Sequence, residues 1–488
     1  MAEQRNLTLL TDLYELTMMQ GYFKNEKRNK IAVFDVFYRK NPLDGGYAIF
    51  AGLEQVIDYV KNLHFDEEAI NYLRSLNLFG EDFLGYLADF RFTGTIYSVP
   101  EGTVIFPSEP IIKVIAPVMQ AQLVETAILN IINHQSLIAT KAARVCHAAG
   151  DKPVFEFGAR RAQGPDASIY GARAAIIGGC LGTSNVISGQ MFDVPLTGTN
   201  AHAWMMSFDT ELEAFEEYAR IYPNGFTFVA DTYDTLKSGV PNAIKVFQEY
   251  KDKGILPKVY GIRLDSGDLA YLSKEVRKMF DEAGFPDARI IVSNDLDEFL
   301  IQSLKAQGAR VDVWAVGTHL ITSKDWASFG GVYKLAAIEN ENGELTPKIK
   351  FSENIEKNTN PGNKKIFRIY DKQSGKIKAD LICLADEILN EAEDLLLFDP
   401  MSPWKKTLLN GGTYKVRDLL ECIFDEGKCV YKSPTTNEIK EICKKEKETL
   451  WDETKRFANP TPVYVDLSQK LFDLKMDLFS KNAKHKIH

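Results

Sequence analysis

Between residues 153 and 335 the chain repeats one pattern: a short β-branched or aromatic run, then a longer amphipathic stretch. The runs are Pro153–Phe157, Cys180–Thr183, Val194–Gly198, Gly225–Val229, Lys258–Ile262, Arg289–Ser293, Val311–Ala315 and Val332–Leu335. The intervening segments carry the helical period: in Asp209–Tyr222, Leu212, Phe215, Ala219 and Tyr222 fall three or four residues apart. Leu269–Gly284 and Leu296–Gly308 each end at a glycine suited to closing a helix. Parallel strands cannot be joined by tight turns and need crossovers of a dozen or more residues. Strand candidates separated by helical stretches therefore predict a parallel βα array. No glycine-rich dinucleotide turn marks a switch point, so the expected form is a βα barrel rather than an open doubly wound sheet.

Two less regular regions flank this array, giving three expected domains: an N-terminal α/β domain over 1–140, the barrel over 141–338, and a C-terminal α+β extension over 339–488. In the first, Leu7–Phe23 reads as helix, Ile31–Phe37 as a strand, and Gly94–Pro117 as strand-like. The third is expected to open with a long surface loop, Glu339–Asn363. A hairpin then pairs Lys365–Tyr370 with Lys376–Cys383, and Lys440–Lys455 reads as a charged helix. The 488 residues hold 58 Lys and Arg against 67 Asp and Glu, a net charge of −9, which argues against nucleic-acid and anionic-membrane partners. None of the six cysteines falls in a C-x-x-C pair, so reduced thiols in a cytoplasmic protein are expected. Asp12 and Glu15 interrupt the N-terminal apolar residues, which removes a signal-peptide reading. The uncharged stretch Ala174–Phe192 is too rich in Gly, Ser, Thr and Asn to read as a membrane span.

In a parallel βα barrel the site lies at the C-terminal ends of the strands. Here those ends run into Glu156-Phe-Gly-Ala-Arg-Arg161, Thr183-Ser-Asn185, Thr197-Gly-Thr-Asn-Ala-His202, Asp231-Thr-Tyr-Asp234, Arg263-Leu-Asp-Ser-Gly-Asp268, Asn294-Asp295 and Val316-Gly-Thr-His319. Any one Asp, Ser or Thr there also fits a helix N-cap. Taken together, the tips predict a mouth that binds an anionic substrate. Arg160, Arg161 and Arg263 offer bidentate forks for phosphate or carboxylate. Gly317 and Thr318 bring backbone N–H groups to where barrels often hold a phosphate. Asp265 and Asp268 are open to Mg²⁺ or to sugar hydroxyls, although their spacing fixes no metal ligand set. His202, with Asp231 one strand along, fits a nucleophilic imidazole oriented by a carboxylate. His319 competes for that role, but no carboxylate stands out beside it.

Several strings resemble the nicotinate phosphoribosyltransferase family, spanning about Leu9 to Leu467 in order. They are Leu10-Thr-Asp-Leu-Tyr-Glu-Leu-Thr-Met18, Gly46-Tyr-Ala-Ile-Phe-Ala-Gly52, Glu156-Phe-Gly-Ala-Arg-Arg-Ala-Gln163, Gly198-Thr-Asn-Ala-His202, Asp231-Thr-Tyr-Asp-Thr235, Gly261-Ile-Arg-Leu-Asp-Ser-Gly-Asp268, Gly317-Thr318 and Lys357-Asn-Thr-Asn-Pro-Gly-Asn-Lys364. The resemblance implies the type II phosphoribosyltransferase fold, an irregular βα barrel with an N-terminal α/β domain. The implied reaction joins nicotinate to 5-phosphoribosyl 1-diphosphate, coupled to hydrolysis of ATP with Mg²⁺. It also implies that His202 is transiently phosphorylated and oriented by Asp231. Tyr14 and Phe157 would stack on the pyridine, Thr199 and Arg263 would contact nicotinate, and Thr318 the phosphoribosyl group. Arg160 would meet a substrate phosphate or carboxylate. Relatives work as homodimers with shared active sites, the Tyr14 segment reaching in from the neighbour. Nicotinamide-using relatives carry an acid where this chain has neutral Ser184. A carboxylate there would repel the substrate's own, by several kcal/mol at an effective dielectric near ~20. Nicotinamide and quinolinate enzymes on the same barrel are the alternatives. Quinolinate enzymes are shorter and need no phosphohistidine.

Overall fold

Six of the eight runs form a single parallel sheet in the computed structural model, which describes residues 5–25, 27–352 and 358–484. Residues 1–4 at the start of the N-terminal stretch, and 353–357, which include Lys357 of the loop string, lie outside the described residues. The six strands are β1 (Val154–Glu156), β2 (Gly182–Thr183), β3 (Phe226–Val229), β4 (Tyr260–Leu264), β5 (Arg289–Val292) and β6 (Val313–Val316). Their order is β2-β1-β6-β5-β4-β3, with every neighbouring pair parallel. The result is a mixed α/β fold with a parallel half-barrel sheet.

The other two runs behave differently. Val194–Gly198 makes only one parallel bridge, Leu196 to Thr183. Thr183 donates its N–H to Pro195 O at 3.0 Å and accepts from Thr197 N at 3.0 Å. Pro195 has no N–H to extend the ladder, and Gly198 follows within three residues. Val332–Leu335 lies in Gly331–Glu339, which pairs antiparallel with Ile31–Tyr38 in another sheet. A short apolar run does not disclose which sheet it joins.

The chain divides into two compact units. The second holds Ile138–Ala327 and the short stretch Thr435–Lys440. Its sheet packs against helices over an aromatic layer in which Phe215 stacks on Phe228 at 4.4 Å and Phe226 on Phe228 at 5.1 Å. The helix Leu269–Glu282 starts where Asp268 accepts from Tyr271 N at 3.0 Å, and Gly284 past its end takes a left-handed φ of 81°. The helix Glu298–Ala306 is likewise capped by Asp297 and followed by Gly308 at φ 78°. Glu298 is fully buried between Lys141 Nζ at 2.6 Å and Arg144 Nε at 2.8 Å.

The first unit comprises the chain through Leu137, Ser328–Pro434 and Glu441 onward. A seven-stranded antiparallel sheet runs in the order 345–347, 331–339, 31–38, 112–117, 95–98, 421–425 and 428–429. The strand Leu345–Pro347 pairs with Gly331–Glu339, so part of the expected surface loop is a hairpin. A four-stranded sheet holds the expected hairpin, Lys364–Asp371 with Ile377–Leu384, flanked by Tyr414–Asp418 and Tyr464–Leu467. Phe367, Ile369, Ala379, Leu381 and Tyr414 pack into its core. The charged helix spans Thr436–Glu448 and stops well short of Lys455.

Candidate active site

Arg263 anchors the site because β4 delivers it to the sheet's C-terminal edge with its side chain only 13% exposed. Its Nη1 donates to Thr199 Oγ1 at 2.6 Å, and its Nη2 lies 3.9 Å from Asp265 Oδ2. Its Nε is buried without any acceptor. Burial lowers the guanidinium pKa, Asp265 and Asp231 oppose that, and the positive charge of Arg160 adds to it. A buried, half-satisfied guanidinium is costly unless an anion completes it.

Asp231 follows the β3 tip and is almost wholly buried. Its Oδ2 accepts from Asp265 N at 2.9 Å and Ser266 Oγ at 2.6 Å, both on the loop after β4. Its Oδ1 faces His202 Nε2 at 3.3 Å. The β4 loop thus fixes the carboxylate, and the carboxylate orients the imidazole. The His202 side chain is 39% exposed and stays open to a ligand on its other edge. Asp265 Oδ1 accepts from Ser293 Oγ at the β5 tip. Thr199, His202, Asp231, Arg263 and Asp265 are therefore joined by direct contacts into one cluster.

Asn200 completes it. Its Oδ1 accepts from Val229 N at 3.0 Å, while its Nδ2 is buried without an acceptor. The sequence string that contains it assigns it no role. The signal available was its place between Thr199 and His202, where an amide can bond the β3 backbone. Ser266 was missed too, as a small residue in a polar turn.

The β1 and β6 tips are locked together. Phe157 N donates to Val316 O at 2.8 Å. A Cβ on Gly158 would lie 2.6 Å from Ile321, and one on Gly317 3.2 Å from Phe157 O, so both glycines serve close approach. Glu156 is buried beneath this junction, accepting from Gly158 N and from Thr183 Oγ1 at 2.6 Å, and burial raises its pKa. Phe157, Gly317 and Thr318 are half-buried at these tips, and Arg160 and Arg161 are exposed.

Asp268 caps its helix through Oδ1, so that oxygen is committed to structure. One reading is corrected. His319 does have carboxylates beside it: Asp297 Oδ2 lies 3.5 Å from Nδ1 and Asp295 Oδ1 3.9 Å from Nε2. Asp297 caps its helix through Oδ1 and turns Oδ2 toward His319, but Nδ1 of His319 makes no hydrogen bond, whereas His202 Nε2 is within hydrogen-bond distance of Asp231 Oδ1. Among the described residues no three His, Cys, Asp or Glu gather as a metal site.

Tyr14 belongs to the first unit, on the helix Leu13–Lys24, and is 47% exposed. The first unit also holds a basic cavity of about 290 Å³ lined by Arg39, Lys334, Lys364 and Lys475. Lys364 pairs with buried Asp35 at 2.7 Å, and Lys475 Nζ donates to Asn360 Oδ1 at 2.8 Å. Arg39 Nε is buried without an acceptor. Of these cations, only Lys364 falls in a string that drew attention in the sequence.

Three family models match the chain: the nicotinate phosphoribosyltransferase N-terminal domain over residues 9–133, the nicotinate phosphoribosyltransferase family over 153–379, and its C-terminal domain over 363–475. A nicotinate phosphoribosyltransferase of Bacillus subtilis is 46% identical over 471 residues, covering 96% of this chain and 95% of its own. The crystal structure of human nicotinic acid phosphoribosyltransferase superposes with a TM-score of 0.84 at 28% identity, covering 96% of this chain and 99% of that one. A nicotinate-nucleotide pyrophosphorylase of Pyrococcus furiosus shares the fold, with a TM-score of 0.68 at 23% identity over 92% of this chain and 98% of that one.

Proposed function

The chain belongs to the nicotinate phosphoribosyltransferase family, and on that premise we propose that it joins nicotinate to 5-phosphoribosyl 1-diphosphate, giving nicotinate mononucleotide and diphosphate, with ATP hydrolysed through a phosphohistidine at His202. The observation that carries the reading is the buried Arg263, whose Nε lacks a partner beside Thr199 Oγ1. A pyridine carboxylate is a small anion that satisfies that donor. Neutral Ser184 in the loop after β2 leaves no charge to repel it. This favours the acid over nicotinamide.

In the transfer step the pyridine nitrogen attacks the anomeric carbon while the bond from that carbon to the diphosphate oxygen breaks. No proton moves, so positioning and charge stabilisation carry the rate. Arg263 and Thr199 hold the carboxylate, Phe157 packs on the ring, and Gly317 and Thr318 present backbone donors to the 5-phosphate. Arg160 adds positive charge beside them. Mg²⁺, held by substrate oxygens with Asp265 as the protein carboxylate, would offset charge on the departing diphosphate. The donor set fits that role, since one carboxylate with free capacity suits a metal that arrives with its substrate.

For the coupling step, Asp231 at Nε2 leaves Nδ1 of His202 as the nucleophile. Nδ1 attacks the γ-phosphorus of ATP, the N–P bond forms, the P–O bond breaks and ADP departs. Water later cleaves the N–P bond. The added negative charge would draw Arg263 and tighten the diphosphate substrate, and its loss would loosen product. The exposed apolar strip Leu9, Leu10, Leu13, Tyr14 and Met18 supports a homodimer with shared active sites. The six cysteines, none of them in a disulfide among the described residues, support a cytoplasmic setting. No helix among the described residues is long and apolar enough to cross a membrane. The half-barrel together with the Pro195–Asn200 segment, bonded to β2 on one side and to β3 on the other, supports the irregular barrel of the type II fold.

The test supplies nicotinate, nicotinamide and quinolinate in turn with the diphosphate substrate, with and without ATP, and follows nucleotide and ADP. Nicotinate alone is consumed at an appreciable rate, and ATP accelerates it. Preferential use of either alternative pyridine overturns the reading.

A further inference from the structure

The four-stranded sheet of the first unit presents a second basic cavity, remote in sequence from every tip residue above. It encloses about 800 Å³ between the sheet face and the helix Thr436–Glu448. Lys415 and Arg417 sit two apart on Tyr414–Asp418 and so share a face. Their cross-strand partners are Tyr370 and Arg368, which places those side chains on the same face. From the helix, Glu446 spans the two arginines: Oε2 accepts from Arg368 Nη1 at 3.0 Å and Oε1 accepts from Arg417 Nη1.

This arrangement fixes Arg417 in one orientation. Its Nη1 is held by Glu446 and by the Tyr370 hydroxyl at 3.3 Å, while the group stays 39% exposed. Its Nε and Nη2 bond to none of the described residues. A guanidinium held by one nitrogen and open on its other two is prepared for a bidentate oxyanion. Lys432 and Lys445 line the same cavity and have no partner among the described residues. Lys372 and Lys415 stand at its mouth, each with one acceptor: Gly412 O at 3.1 Å and Glu391 at 2.8 Å. The lining acids do not cancel this charge. Asp371 is engaged by Lys378 and Ser374, Glu446 is neutralised by its two arginines, and Glu421 alone is uncommitted. The rings of Tyr370 and Tyr431 complete the wall. Burial together with Glu421 and Glu101 pushes the Tyr431 phenol up to about 12, so it stays neutral.

We propose that this cavity is a second ligand site, for a nucleoside polyphosphate whose phosphates meet Arg417, Lys432 and Lys445 and whose base lies against the tyrosine rings. It serves binding and involves no bond-making step. The proposal does not rest on the pyridine chemistry above.

The test is photolabelling of the full chain with an azido-adenosine triphosphate, followed by peptide mapping. Label is expected on peptides carrying Tyr370 or Tyr431. It should fall about tenfold in the double variant Lys432→Glu/Lys445→Glu, which loses the two unpaired cations. It should also persist in His202→Ala, which separates this site from the proposed catalytic centre. ADP should protect these peptides at roughly tenfold lower concentration than inorganic tripolyphosphate, because only ADP engages the rings. Turnover at saturating substrates should be unchanged in the double variant. The proposal is overturned if those peptides take no label at millimolar probe. It also fails if a phosphate-free azido-adenosine labels them equally, if the double variant labels like wild type, or if tripolyphosphate protects as well as ADP.

Discussion

Arg263 shows how much one side chain commits the site to a ligand. Two of its nitrogens are occupied or near a carboxylate, and the third is buried with nothing to bond. Arg263→Lys keeps a charge but loses the planar fork, so KM for nicotinate should rise roughly 30-fold, about 2 kcal/mol, with a smaller change in kcat. Steady-state kinetics at fixed diphosphate substrate check this. The His202–Asp231 pairing was legible in sequence because each residue lies a few positions past a short β-branched or aromatic run, whether or not that run forms a strand. Hydrogen bonds made by loop backbones were not legible. Asp268 and Asp231 look alike as aspartates after strands, yet one caps a helix and the other is clamped by Asp265 N and Ser266 Oγ. Asn200 carried no legible role because a side-chain amide that bonds a strand's backbone N–H pairs with no particular residue type.

At the level of elements, the strand tips depend on close backbone approach. Gly158→Ala would put a methyl 2.6 Å from Ile321 and 2.8 Å from Glu156 Oε1, forcing the β1 and β6 tips apart. A loss of about 1–3 kcal/mol is expected by denaturant unfolding, with a raised KM for the diphosphate substrate. Behind the sheet, Glu298→Ala would remove the carboxylate shared by Lys141 and Arg144, two buried cations, and should cost about 3–5 kcal/mol. The six strands and their helices were readable from alternating periods and glycine stops. Val194–Gly198 was overread because Pro195 prevents a ladder. Val332–Leu335 was misassigned because its apolar residues suit an antiparallel partner, Ile31–Tyr38, three hundred positions earlier.

For the whole molecule, the first unit draws its strands from both ends of the sequence, so its stability rests on long-range contacts that no local pattern announces. One of its groups makes that stability sensitive to pH. Glu15 is fully buried, and burial raises its pKa from 4.5 to about 7 although Gln122 donates to it. Between those values the native chain keeps a proton that the unfolded chain has released. This contribution is therefore present below pH 4.5 and is lost as pH rises through 7, a change of about 3 kcal/mol. Glu15→Gln should raise Tm at pH 8 by a few degrees and leave it nearly unchanged at pH 4.5. Thermal melts at the two pH values check this.

The cluster at the strand tips is proposed to act as one catalytic centre, with His202 accepting a phosphoryl group under the control of Asp231. Peptide mass spectrometry after brief incubation with MgATP reads this directly. A single phosphoryl group on His202 is expected, reduced at least about tenfold in Asp231→Asn, where the imidazole loses its orienting charge. Nucleotide formation stimulated by ATP with no phosphoryl group on His202, or with one on another residue, would contradict it.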